Sequence, residues 1–254
     1  MNILLTNDDG INAPGINALA AEISKIASVH IVAPENERSA VGHAITISDP
    51  LRVTEVEKNG KIFGYAVKGT PADCVKIAYW AILSKKQKPD LLISGINLGS
   101  NTGINTIYSG TVSAATEGAI LAIPSFAISL ATYVDADFSF AAYFAVKIVE
   151  SGVLHNLPQG VFLNVNVPAV PARRIRGVRF TRQGTVSFKE RYHVRQDPRN
   201  RNYYWLSGEK KHLDSYSDTD DHAVSENFIS ITPIHYDLTC YPVLEKITDF
   251  VIDY

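Results

Sequence analysis

Two adjacent carboxylates, Asp8 and Asp9, follow a short apolar run (NILLT, residues 2–6) and precede Gly10. Neighbouring carboxylates repel each other, and at a strand end both stay ionised only beside a cation or strong donors. A hard divalent ion held by oxygen ligands, Mg²⁺ or Mn²⁺ rather than Zn²⁺, meets that need. The same pair also reads as a solvated turn in which one aspartate caps the next helix. A second stretch, SGINLGSNTGINTIYSGT (94–111), has glycines at 95, 99, 103 and 110, which let the backbone approach a ligand closely. Within it Asn97, Asn101 and Asn105 offer amide oxygens and N–H donors, and Ser109-Gly110-Thr111 stands just before a helix, where free N–H groups favour an anion. No lysine follows the glycines and no G-x-G-x-x-G occurs here, so this is neither a Walker A loop nor a dinucleotide fingerprint. It also reads as a flexible loop with ordinary capping by Ser109 or Thr111. Arg38, Ser39 and His43 lie in a third polar stretch, ENERSAVGHAITIS (35–48). Arg38 reads as a phosphate partner or a solvated side chain, and His43 as a proton shuttle or an ordinary loop residue.

The elements that must position these residues follow from periodicity. The run at 2–6 predicts a buried strand, Pro14 opens a helix with Ile16, Leu19, Ala20 and Ile23 at helical spacing, and VHIVA (29–33) is the next strand. Strand, helix and strand in that order predict a parallel sheet. Residues 51–68 alternate like antiparallel strands around an Asn59-Gly60 turn, and Thr70-Pro71 caps a helix expected over 71–84. A strand at 90–94 runs into a loop expected over 95–110. A helix over 111–122, a strand over 124–130, a helix over 138–151 and a strand over 162–167 follow. Beyond Pro168 the chain turns polar, with Arg173, Arg174, Arg176, Arg179 and Arg182 close together, reading as a surface or interface strip. Long loops with short strands are expected there, in a projecting element, then a strand over 229–234 and a helix over 242–252. Ligands of open α/β sheets bind beyond the carboxyl ends of the strands, which is where Asp8, Ser39 and Asn97 would all stand if their strands are neighbours.

A net charge of −2 gives no global basic field for nucleic acid or a membrane surface, and no stretch reaches the ~20 apolar residues of a membrane span. Cys74 and Cys240 sit in no zinc spacing, and the composition fits a reducing cytosol, so a cytoplasmic protein is expected.

LLTNDDG, PENERSAVGHAIT, GTPADCV, SGINLGSN and YSGTVSAATEGA, in this order, resemble the SurE family of 5′-nucleotidases over roughly residues 1–130, and TDDHAVSENFISITPI (219–234) extends the likeness. The resemblance implies one divalent metal per subunit, Mg²⁺ or Mn²⁺, held by Asp8, Asp9, Ser39 and Asn97. The glycine-rich loop and the helix start, read on their own residues, place phosphate binding at Asn101, Ser109, Gly110 and Thr111, with Asn7, Arg38 and His43 expected behind the metal ligands. The resemblance further implies a Rossmann-like three-layer α/β domain with a mostly parallel sheet and a homodimer or homotetramer; the long C-terminal element is itself expected to be an extended hairpin or arm used in oligomerisation. The chain is then one unit over 1–254, with a metal- and phosphate-binding core at 1–168 and a C-terminal elaboration at 169–254. The implied reaction is hydrolysis of nucleoside monophosphates; some members also act on 3′-nucleotides or polyphosphate. One departure stands at Glu226-Asn227-Phe228, where a glycine–aromatic pair is usual.

Two other readings compete. Haloacid-dehalogenase phosphatases also place D-x-D-G after a first strand, but Asn7 occupies the first position here and cannot form a phospho-aspartyl intermediate. A non-catalytic nucleotide-binding module would bind nucleoside monophosphate with metal and release no phosphate.

Overall fold

The computed structural model describes residues 1–185, 187–211, 216–248 and 250. The first strand, β1 (Asn2–Thr6), ends where Asn7 begins a tight turn, and Pro14 sits at the start of α1 (Pro14–Ile23). Strand β2 (Ser28–Pro34) pairs in parallel with β1. A hairpin of β3 (Val53–Lys58) and β4 (Lys61–Val67) turns at Asn59-Gly60, both at positive φ, and β4 joins β2 in parallel. Thr70 caps α2 (Pro71–Ile77) through a reciprocal capping box with Asp73. The helix expected over 71–84 continues as a π-helical turn over Ala78–Ile82.

Strand β5 (Leu91–Leu98) overturns part of the expected 95–110 loop. Gly95, Ile96 and Asn97 belong to the strand because β1 pairs with its first half and β6 (Ser125–Ala131) runs alongside to Leu98, across an irregularity between Gly95 and Asn97. Helix α3 (Gly110–Ile120) precedes β6, and α4 (Ser139–Ser151) leads to β7 (Val161–Pro168). The remainder holds β8 (Val178–Phe180), β9 (Ser187–Gln196), β10 (Asn202–Lys211), α5 (Asp220–Ser225), β11 (Ile229–His235) and α6 (Tyr241–Ile247). The expected short strands are instead a separate hairpin of two ten-residue strands, β9 and β10. The last residues of the helix expected over 242–252, namely 249, 251 and 252, lie outside the described residues.

Among the described residues the main sheet runs β3-β4-β2-β1-β5-β6-β7-β11-β8. Its central five strands are parallel. Taken alone, those five have the doubly wound order 2-1-3-4-5, whose direction of winding reverses between β1 and β5. Helices α1 and α4 pack on one face over Ile3, Leu5, Ile93, Phe126 and Val165. Helices α2 and α3 cover the other over Leu4, Val32, Leu92, Ala127 and Phe162. At the departure noted above, Asn227 takes the left-handed conformation (φ 62°) that glycine would supply. Phe228 N–H then closes the end of α5 on the Ala223 carbonyl at 2.9 Å.

Candidate active site

The reversal between β1 and β5 opens a crevice at the carboxyl ends of those strands, and Asp8, Asp9 and Asn97 stand there. The turn after β1 is held by Asn7, whose Nδ2 donates to the Gly10 carbonyl (2.9 Å) while its Oδ1 accepts from Gly10 N–H (3.2 Å). Both functions of the Asn7 amide are spent on backbone, so this side chain shapes the turn. Asp8 is buried, and Thr111 holds it with both hydroxyl and backbone N–H. Asp9 accepts from the Leu98 N–H at 3.2 Å, which ties it to β5.

Burial, above all, pushes both carboxyls up. Asp8 rises against the lowering hydrogen bonds from Thr111. Asp9 is pushed up to about 7 by burial, then by the charges of Asp8 and Glu37. A buried and a half-buried acid side by side, with the charge of Glu37 nearby, are a destabilised arrangement that a cation would relieve.

Ser39 arrives from the segment after β2, where Arg38 N–H donates to the Asp8 carbonyl at 2.7 Å. Its hydroxyl donates to Glu37 Oε1 at 2.7 Å. Asn97 is buried, with Nδ2 turned onto the Gly99 carbonyl at 2.7 Å, which leaves Oδ1 as its acceptor. Among the described residues no three His, Cys, Asp or Glu side chains converge as a metal cluster. The groups that could hold an ion here are two carboxylates, a hydroxyl and an amide oxygen. All are hard oxygens, and they fit Mg²⁺ or Mn²⁺.

A cavity of about 600 Å³ joins Asp8, Ser39, Asn97, Asn101 and Ser109. Ser109 is the N-cap of α3, its hydroxyl accepting from Val112 N–H at 3.2 Å. The first-turn N–H groups of α3 have no partner within the helix, and Gly110 brings them close to Asp8. A Cβ on Gly110 would lie 2.8 Å from Asp8 Cβ and 3.0 Å from its Oδ2. The Asp8 carboxyl and the N-terminus of α3 are therefore adjacent.

His43 is placed elsewhere than the carboxylate pair. Its Nε2 lies 2.9 Å from Glu117 Oε2 on α3, and Lys76 Nζ lies 3.0 Å from Glu117 Oε1. Burial would raise Glu117, but His43 and Lys76 outweigh it and hold the carboxyl below the usual range. The Arg38 side chain is exposed. Of the arginine strip, Arg176 pairs with Glu226 (2.8 Å), Arg179 lies over the Phe228 ring (3.7 Å to its centre) and Arg182 pairs with Asp218 (3.0 Å).

Several residues of the site escaped sequence reasoning. Glu37 stands two positions before Ser39, a signal available in the ERS stretch. The exposed rings of Tyr108 and Tyr133 border the cavity, as do Glu190, Leu206, Ser207 and Gly208 of the β9–β10 hairpin. Nothing in sequence spacing links the hairpin to residues a hundred positions earlier. Asp220 pins the glycine-rich loop, its Oδ2 accepting from Gly103 N–H at 2.9 Å.

The profile of the family described as "Survival protein SurE" matches residues 3–190. The chain is 51% identical over 247 residues to a protein of Syntrophobacter fumaroxidans named 5′-nucleotidase SurE, covering 97% of this chain and 98% of that one. It is 54% identical over 247 residues to a Syntrophus aciditrophicus protein of the same name, covering 96% and 92%. Its fold superimposes on the crystal structure of the SurE protein from Aquifex aeolicus with a TM-score of 0.84 at 41% identity, covering 97% and 98% of the two chains.

Proposed function

The chain belongs to the SurE family, and from that premise we propose that it is a metal-dependent 5′-nucleotidase that hydrolyses the phosphate monoester of nucleoside 5′-monophosphates at Asp8 and Asp9. It is a phosphoric monoester hydrolase acting on nucleotides. The observation that carries the site is the meeting of the buried, raised Asp8 carboxyl, with the half-buried and raised Asp9 beside it, and the N-terminal cap of α3 at one cavity.

Asp8, Asp9, Ser39 and Asn97 would hold one divalent ion, Mg²⁺ or Mn²⁺. When bound, the ion supplies positive charge against a phosphoryl oxygen and acidifies water beside it. The phosphate rests on the Gly110 N–H, with the Ser109 and Thr111 positions and the Asn101 side chain around it. Asp8 is fixed by Thr111 and keeps one oxygen for the ion. Asp9, less buried than Asp8 and tied to β5 through the Leu98 N–H, is the group that orients water and takes its proton. Tyr108 and Tyr133 give the nucleobase flat faces to stack on.

The arm of residues 169–254 leaves Tyr204, Trp205 and Leu206 of β10, and Leu244 and Ile247 of α6, exposed. Apolar side chains in that number support a homodimer or homotetramer. No helix among the described residues is long and apolar enough to cross a membrane. The composition, which fits a reducing cytosol, supports a cytoplasmic location. Phosphate release from a panel of nucleoside monophosphates, with Mg²⁺, with Mn²⁺ and with EDTA, tests the reading. Release that depends on metal is expected. Tight metal-dependent binding without release would replace it with a binding module.

A further inference from the structure

On the face covered by α2 and α3, the strands change character at their carboxyl ends. Leu4 gives way to Thr6, Leu92 to Ser94, Ala127 to Ser129, and Phe162 to Asn164 and Asn166, all of them buried. Alternation by two keeps each series on one face. A polar floor in an otherwise apolar layer is destabilising unless its groups are paired. Most of the pairing converges on one residue of the glycine-rich loop, Asn101.

Asn166 reads the backbone of Asn101 in both directions. Its Oδ1 accepts from Asn101 N–H at 2.8 Å, and its Nδ2 donates to the Asn101 carbonyl at 3.1 Å. Asn164 Nδ2 donates to the same carbonyl at 2.7 Å. Beneath the loop, Ser129 Oγ accepts from Asn101 Nδ2 at 2.9 Å. Only an amide side chain of this length carries the donor and the acceptor that the Asn101 backbone presents. Asn164 commits its N–H to this contact even though its own Oδ1 then has no hydrogen-bond partner among the described residues. Asn101 Nδ2 carries a second N–H beyond the one it gives to Ser129, a donor of the kind a phosphate oxygen accepts, and Asn101 lines the cavity.

We propose that Asn164 and Asn166 are positioning residues for phosphate recognition: the two amides on β7 clamp the Asn101 backbone and hold its side chain toward the substrate phosphate. The inference rests on Asn101 being a phosphate ligand, as read above. It separates two halves of the site. Asp8, Asp9, Ser39 and Asn97 make none of these hydrogen bonds, so the clamp acts on the anion and leaves the cation's donors alone.

The test uses the full chain with Asn166→Leu and Asn164→Leu, which nearly keep the volume and remove the N–H donated to the Asn101 carbonyl without adding a negative charge near the phosphate. Melting temperature, Mn²⁺ affinity without phosphate, inorganic phosphate affinity with Mn²⁺, and KM and kcat for a nucleoside monophosphate are measured on each. Phosphate affinity is expected to weaken and KM to rise about tenfold, the effect of one lost hydrogen bond in a buried setting. Mn²⁺ affinity stays within about twofold. A lowered melting temperature with unchanged phosphate affinity and KM would mean a merely structural contact and overturn the proposal. If either variant does not fold, Ser129→Ala, which removes only the acceptor of Asn101 Nδ2, must give the same split. Wild-type protein that binds no phosphate would refute the functional reading instead. The clamp is then judged by hydrogen exchange at the Asn101 amide, slow in the wild type and faster in Asn166→Leu, which lacks the Oδ1 that accepts from it, with equal rates overturning it.

Discussion

The Thr111 hydroxyl donates to Asp8 Oδ1, joining the first turn of α3 to the end of β1. The bond is buried and charge-assisted, a class that contributes roughly 1.5–3 kcal/mol. Thr111→Val keeps the shape and removes the donor. Its metal affinity is expected to fall about tenfold, because Asp8 is no longer aimed and its ionised form is less stabilised. Calorimetric titration with Mn²⁺ checks this, and an unchanged dissociation constant would show that Thr111 only caps.

Asp9→Asn removes the group assigned to water. Loss of a general base typically costs about 10²–10⁴-fold in rate, and here a cation ligand goes with it. Turnover in Mn²⁺ is expected to fall by at least about 100-fold with the circular dichroism spectrum unchanged. Activity near the wild-type value would remove Asp9 from the mechanism.

The same carboxyl makes stability depend on pH. Asp9 titrates near 3.8 when unfolded and at about 7 in the folded chain, raised by burial and then by Asp8 and Glu37. Between those values the folded state binds more protons than the unfolded one, so stability falls as pH rises through the window. Asp8, also raised, acts in the same direction. Metal affinity runs the opposite way, because the ion needs the ionised form and competes with the proton below about pH 7. Melting temperatures in EDTA across this range should decline in the wild type and decline less in Asp9→Asn. Parallel slopes for the two proteins would contradict the assignment.

Tyr133 packs its ring over Gly99, where an added Cβ would lie 2.5 Å from Cε1, yet remains 67% exposed at the cavity mouth. Base–aromatic stacking is worth about 1–3 kcal/mol. Tyr133→Ala is therefore expected to raise KM for a nucleoside monophosphate by roughly tenfold or more while KM for ribose 5-phosphate, which has no base, barely moves. Equal changes for both substrates would assign Tyr133 to loop packing.

How much of this was legible in the sequence depended on where the information lay. Asn2–Thr6, the Pro14 helix start, the Asn59-Gly60 turn and the Thr70-Pro71 cap are local signals, and each element stands where they put it. Residues 95–98 read as loop because glycine and asparagine usually break a strand. They are strand because β6 supplies their ladder partners, which no local pattern reveals. The β9–β10 hairpin read as long loops with short strands because Tyr203, Tyr204, Trp205 and Leu206 run together in β10 without alternation, and in β9 Glu190 interrupts the alternation of Tyr192 and Val194 with Arg191, His193 and Arg195. At the site, the position of Asp8 and Asp9 at a strand end was legible, whereas the bond to Thr111 spans 103 residues and the Asn101 clamp 65, and only the fold brings those groups together.

Gly110→Ala separates chemistry from stability at the tightest point of the site. Alanine favours helix over glycine by about 1 kcal/mol, and the glycine does not occupy the left-handed region. Against that, the new Cβ would stand 2.8 Å from Asp8 Cβ and 3.0 Å from both Asp8 Oδ2 and Pro71 Cγ. Overpacking of this kind costs roughly 1–3 kcal/mol, so the two effects nearly cancel and the melting temperature should fall only modestly. Function has no such compensation, because the atom that must move belongs to the carboxylate. Metal affinity and kcat are expected to drop at least about tenfold together. A variant that melts much lower yet binds Mn²⁺ as the wild type does would place the strain on Pro71 and leave Asp8 where it was.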